Sequence, residues 1–355
     1  MSKATRKTKS NTKRNNINPS SQIPETRSRK NMPSSKKAKI VEETDIPHSS
    51  FDFQSCPSSS TTDQDTSIVG IMNTSKQDFA GIRFMEGFVD KTLLISTVLS
   101  CSSSYILLLA PRCCGKSVNI TMLKRYFEIP RDEKEKILNH RVFEKTLISK
   151  DTKFMKKHFG NYPVLYLNFK SSGSVCSFEI AFKFVREVVK KAYVDHSEVL
   201  LASKKLISSE KKVIKDWFHI SNYVKKAVDH PDIYFALENL ARFLVQHHGR
   251  KIFLFVDDYD GICTDAMIHM EDRIIETTGA VLYKADHELK NTIAFCQGAL
   301  SCLLKPSQRD EFVDRAVLTG TSEITTMGLN KLRTVKQFRF QEKHTFSKLC
   351  DLTPV

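Results

Sequence analysis

Apolar residues gather in short unbroken blocks at a few points of the chain and recur at every third or fourth position in the stretches between them. Each block is too short for a core helix and has the length of a buried parallel strand. Tyr105 to Ala110, Pro163 to Phe169, Lys251 to Val256 and Arg315 to Leu318 read as four strands in sequence order, and Arg333 to Phe340 reads as a last one. Helical spacing links Ile120, Leu123 and Phe127 and stops before Pro130, which cannot continue a helix. Ser177 to Gly249 reads as helical throughout. One apolar face carries Phe178, Phe182, Val185 and Val189; another carries Leu237, Leu240, Phe243 or Leu244, and His247, closing at Gly249 as a C-cap. Val281 to Leu304 forms a further helical stretch before the fourth strand, and Phe88 to Leu99 a turn and helix before the first, with Asp90 and Thr92 as N-cap types. Strands alternating with helices predict an α/β fold with a parallel sheet and a helical insertion between its second and third strands.

The segment directly after the first strand carries chemistry as well as fold. Ala110, Pro111, Arg112, Cys113, Cys114, Gly115, Lys116 and Ser117 have the spacing A-x-x-x-x-G-K-S between a strand and a helix, the context of a P-loop, with Ala110 where a glycine usually stands. Backbone N–H groups around Gly115 can ring a phosphate, Lys116 can reach the β- and γ-phosphates, and the Ser117 hydroxyl can ligate Mg²⁺.

The third strand ends at once in Asp257, Asp258, Tyr259 and Asp260, an apolar run delivering carboxylates as Walker B strands do. Asp257 is the expected Mg²⁺ residue, and Asp258 the acid that would orient and deprotonate an attacking water. Thr319, at the end of the strand expected beside the P-loop strand, is a candidate γ-phosphate sensor. ATP and Mg²⁺ are the implied ligands.

Composition and charge narrow the remaining choices. Of the 355 residues 40% are apolar, enough for a real core, and no apolar run approaches the roughly 18 residues of a membrane span. The polar, basic start is no secretory signal. The nine cysteines include no C-x-x-C pair and no zinc spacing with histidine, so they read as free thiols, mostly in the core, in a reducing compartment. Net charge is +15, of which residues 1–50 contribute +8 from twelve Lys/Arg against four Asp/Glu. Residues 1–67 are poor in aliphatics and expected to be a disordered basic arm with a Ser/Thr/Asp linker; residues 68–340 form the expected folded domain and 341–355 a tail too short for another. Within the arm, Lys36, Lys37 and Lys39 have the look of a nuclear import signal, with loose polyanion binding as the alternative; nucleus, otherwise cytoplasm, is the expected location. Lys204 to His230 holds seven lysines around Trp217 and Phe218, either a nucleic-acid surface or a solvated face.

Taken together, Phe88 to Thr92, L-L-A-P-R-x-x-G-K-S, YPVLYLNF, KIFLFVDDYD, VLTGT and GLNKL (Gly328 to Leu332) resemble, in order and spacing, the AAA-ATPase-like family over about residues 75–335. That family comprises P-loop ATPases often fused to a PD-(D/E)XK-type nuclease domain. The resemblance implies a P-loop NTPase sheet in which another strand lies between the P-loop and Walker B strands. The chain departs from the family pattern at Cys113 and Cys114, where Arg-Phe or similar is usual, and at Asp258, where Glu is usual. The 15 residues after the last expected strand are too few for the nuclease half, which is therefore not expected within this sequence. Two functions remain open at this point: a slow Mg-dependent ATPase coupling nucleotide state to a conformational change or partner, or a hydrolysis-deficient nucleotide-binding module with basic binding segments.

Overall fold

The computed structural model describes residues 78–171, 175–219, 230–275, 280–304, 312–323, 335–339 and 346. The basic arm, the Lys36 to Lys39 cluster, the linker, the GLNKL block and the tail after 346 lie outside them. In chain order the elements are α1 (Phe79–Ile82), α2 (Leu94–Ser100), β1 (Tyr105–Leu109), α3 (Lys116–Phe127), α4 (Glu133–Phe143), a 3-10 turn (Ile148–Lys150) and α5 (Thr152–His158). They continue with β2 (Val164–Asn168), α6 (Phe178–Ala202), α7 (Ser208–His219), α8 (His230–His248), β3 (Ile252–Asp257), α9 (Gly261–Ile275), α10 (Ala280–Leu304), β4 (Val313–Gly320) and β5 (Lys336–Arg339).

Five strands pair in the order β2-β3-β4-β1-β5, every pair parallel. β4 therefore separates β1 from β3, the arrangement expected for a P-loop sheet with non-adjacent site strands. β1 and β3 are buried along their whole length, since helices cover both faces of the sheet. Alternate side chains go to opposite layers. Ile106, Leu108, Phe253, Phe255 and Val317 pack with α1 to α5, while Tyr105, Leu107, Leu109, Leu254, Val256 and Leu318 pack with α6 to α10. On the first side an aromatic stack joins helix to sheet: Phe127 meets Phe253 edge-on at 5.0 Å, and Tyr162 lies flat on Phe253 at 4.2 Å. Because α3 begins directly at Lys116 and is anchored by this stack, its N-terminus is held over the carboxyl end of the sheet.

Several expectations need adjustment. α4, α5 and α9 were not anticipated: α4 and α5 are short and charged, and their apolar residues are few enough that no period stands out. Among the described residues the interval between β2 and β3 holds three helices, since α6 stops at the extended Ser203 and α7 starts only at Ser208. Asp90 and Thr92 do not cap α2, whose N-cap is Leu93 with no side-chain bond. Instead Asp90 accepts from Thr92 N and Thr92 Oγ1 through one carboxylate oxygen and from Leu147 N (2.8 Å) through the other, and Thr92 Oγ1 accepts from Ile148 N, which ties the α2 entry to the distant 3-10 turn. The cysteines are not mostly core: among the described ones Cys263 and Cys296 are buried, Cys101, Cys114 and Cys176 are half-buried and Cys113 is exposed. Trp217 is buried at 8% exposure and stacks on Tyr193, so it belongs to the core rather than to a basic surface. Gly249 does end α8, with φ +74.

Candidate functional site

At the carboxyl end of β1 the chain turns through Ala110 to Gly115 into α3. Gly115 adopts φ 76 as the N-cap, a left-handed conformation that glycine takes without steric cost. Cys113 is also left-handed, at φ 65, so the loop holds two such residues within three positions. Lys116 folds back over its own loop: Nζ donates to Ala110 O (3.0 Å) and Pro111 O (2.9 Å) and stands 4.0 Å from Asp258 Oδ1. Arg112 is largely exposed and 3.7 Å from Asp265 on α9.

Two strands away, β3 delivers Asp257 and Asp258 to the same end of the sheet. Asp257 is fully buried; its Oδ1 accepts from Thr319 Oγ1 at 2.7 Å, and its Oδ2 has no hydrogen-bond partner. A buried carboxylate oxygen left bare is costly in a protein interior unless a cation or donor is meant to meet it. Asp258 sits at φ 47, with its backbone N–H donating to Thr319 Oγ1 (3.3 Å). Burial, with Asp257 beside it, raises the Asp258 pKa above the ordinary carboxylate value, and Lys116 only partly offsets this.

The turn after Asp258 is braced against β4. Asp260, 2% exposed, accepts from Thr321 N, Thr321 Oγ1 (2.7 Å) and Ser322 N (2.6 Å). Tyr259 N donates to Thr319 O and its hydroxyl donates to Ser322 O. Gly320 is required by this packing, because a Cβ there would lie 2.4 Å from the Tyr259 ring.

Ser117 and Asp257 line one cleft of about 280 Å³ that also takes in Tyr166 and Asn168 from β2 and Thr121, Lys124 and Arg125 from α3. Asn168 pairs in register with Asp257. Sequence reasoning missed it, although a polar residue at the carboxyl end of a buried strand was visible in YPVLYLNF. Asp78 was missed too; it lines the same cleft and pairs with Arg125 at 2.9 Å.

Ala110, Lys116, Ser117, Asp257, Asp258 and Thr319 thus converge on one end of the sheet, although 209 positions separate the first from the last. Thr319 is 1% exposed and spends its hydroxyl proton on Asp257, so in this structure it positions the carboxylate. The family model described as a predicted AAA-ATPase matches residues 73–330. The chain belongs to the AAA-ATPase-like family. None of the curated proteins and none of the solved structures matches it. Membership in an AAA-ATPase-like family implies a nucleotide ligand and commonly Mg²⁺, and the residues fit both. Ser117 and Asp257 share a cleft, and the bare Asp257 Oδ2 suits a cation that keeps water and phosphate oxygens as its other ligands. Among the described residues no cluster of three or more His, Cys, Asp or Glu could hold a metal ion by itself. No helix among them is long and apolar enough to cross a membrane.

Proposed function

We propose that this chain binds ATP at the β1–α3 loop and hydrolyses it slowly with Mg²⁺, using nucleotide state to drive a conformational change or a partner. The observation that carries this reading is the fully buried Asp257, which lines a cleft with Ser117 and whose Oδ2 has no hydrogen-bond partner, while Lys116 and Asp258 stand 4.0 Å apart beside it. On this reading Lys116 leaves the Ala110 and Pro111 carbonyls for the β- and γ-phosphates, and the loop N–H groups at the start of α3 take up phosphate oxygens. Ser117 and Asp257 would hold the metal, which when bound neutralises charge on the transferred phosphoryl group. Asp258 accepts the proton of the attacking water; its raised pKa suits it to proton transfer closer to neutral pH than an ordinary carboxylate. Thr319 keeps Asp257 in the rotamer that serves the metal. Asp258 is one C–C bond, about 1.5 Å, shorter than glutamate, and a displacement of that size lowers turnover by roughly a hundredfold, hence a slow enzyme.

Phosphate release under saturating Mg·ATP tests this. Asp258→Asn should keep ATP affinity and lose turnover roughly a hundredfold, and Asp258→Glu should raise turnover above wild type. Equal background release from wild type and both variants, with ATP still bound, would leave a nucleotide-holding module, the second reading. We also propose that the folded domain spans 68–340 and that the arm directs nuclear import through Lys36 to Lys39, with weak nucleic-acid contacts as its other use. Removing residues 1–48 should then abolish nuclear accumulation with the melting temperature nearly unchanged; retained accumulation would contradict the import role.

A further inference from the structure

α4 borders two hollows besides the polar cleft of Ser117 and Asp257. Its Asn139 lines that cleft and also a hollow of about 360 Å³ between α4 and α5. This hollow shares His140 and Met155 with another of about 610 Å³, so the two form one groove. Phe143, Met155 and Phe159 give the groove apolar walls, and Ile137 stands 49% exposed along it. Four cations, Lys136, Arg141, Lys145 and Lys156, line it against one carboxylate, Glu144, and all five are exposed. Lys136 also reaches Glu133 on its own helix at 3.1 Å. The rim has its shape in advance. Lys145 is left-handed at φ 60, and the residues after it are pinned, Leu147 N donating to Asp90 and Ile148 N to Thr92 Oγ1. A surface fixed in this way loses less entropy on binding.

We propose that the α4–α5 groove docks an acidic peptide segment of a partner protein, with leucine or phenylalanine side chains in the two hollows and carboxylates on Arg141, Lys145 and Lys156. Apolar walls inside a cationic rim match that chemistry on both counts. A nucleic acid fits less well, because strand binding uses open aromatic faces, and the Phe159 ring is already in contact with those of His140 at 4.6 Å and Tyr126 at 5.2 Å. The segment belongs to the partner that the nucleotide reading leaves unnamed, and its coupling to ATP rests on that reading. α4 is the shared wall. Asn139 accepts from Arg125, whose other terminal nitrogen donates to Asp78, and all three line the nucleotide cleft. Peptide in the groove and nucleotide in the cleft therefore act on the same helix, and each changes the affinity of the other by the same factor.

The experiment selects peptides from a random display library on the full chain, then measures the most enriched one, fluorescein-labelled, by anisotropy with and without Mg·ATP. Enriched sequences should carry an excess of Asp and Glu around Leu or Phe. Arg141→Glu combined with Lys156→Glu should weaken the labelled peptide about tenfold or more, and Ile137→Ser about fivefold. All three positions are exposed, so the fold should survive, which circular dichroism checks. Lys211→Glu combined with Lys215→Glu, on α7, should leave the affinity within about twofold. Saturating Mg·ATP should change it by about fivefold or more. A selection that enriches nothing, or peptides without an acidic excess, would overturn the inference. So would a peptide indifferent to the α4 and α5 substitutions, equal displacement by a single-stranded oligonucleotide, or no effect of Mg·ATP on a chain that binds it. The expected peptide binding in a chain that binds no ATP would instead remove the nucleotide reading and keep the docking groove.

Discussion

Around the β1–α3 loop the hydrogen bonds stay within the loop and the charged side chains reach other elements only at 3.7 to 4.0 Å, whereas around the β3–α9 turn they reach across to the neighbouring strand and lock there. Lys116 donates its hydrogen bonds to the carbonyls of Ala110 and Pro111 and reaches the acidic turn only at 4.0 Å from Asp258, and the largely exposed Arg112 stands 3.7 Å from Asp265. Asp257, Asp258, Tyr259 and Asp260, in contrast, are all tied to Thr319 through Ser322 at the end of β4. The loop keeps contacts that a phosphate can replace one for one. The acidic turn is fixed beforehand, which is the arrangement that a proton acceptor and a metal anchor need.

Breaking the rigid half should have the largest effect on the fold. Asp260→Ala strips the acceptor from two backbone N–H groups and one hydroxyl, and should lower stability by about 2–4 kcal/mol in a denaturant titration. A change no larger than that of Glu133→Ala, an exposed carboxylate on α4, would mean that the brace contributes little. A smaller change of opposite sign is expected at Asp258, in the same turn. Because its folded pKa is raised, the charged form of Asp258 destabilises the fold above the ordinary carboxylate range, so Asp258→Asn should raise the melting temperature at neutral pH. The gain should shrink as pH falls into that range, and a lower melting temperature at neutral pH would contradict it.

The smallest effect lies away from the site and serves as its control. Burial pushes His196 on α6 and His248 on α8 down to about 4. Their neutral forms are favoured in the fold, so this stability is complete above about pH 6.5 and is lost as pH falls toward 4. His248→Gln should flatten the melting temperature over that window; an unaltered slope would show that the fold does not depend on that neutral ring.

Much of the parallel sheet was legible because buried strands leave unbroken apolar runs, and β1 to β4 fall within two residues of the blocks in the sequence. The loop residues were legible because glycine, lysine and serine at fixed spacing have few other uses. The brace was not. Nothing in the string DDYDG says that Asp260 points at Thr321 and Ser322 while Asp257 points at Thr319, since those contacts span more than 60 positions and depend on β4 lying beside β3. For the same reason the sequence marked Asp90 and Thr92 as helix caps, when their partners are Leu147 and Ile148.

The account stands most directly on the binding of Mg·ATP by the two halves together, measured by titration of fluorescent ATP into wild type, Lys116→Ala and Asp257→Asn. Each substitution removes one charged partner and should weaken binding by about 1.5–3 kcal/mol, roughly ten- to a hundredfold, with Asp257→Asn losing its effect when Mg²⁺ is withheld. Unchanged affinity in a folded Lys116→Ala protein would contradict the assignment of the loop, and with it the nucleotide site.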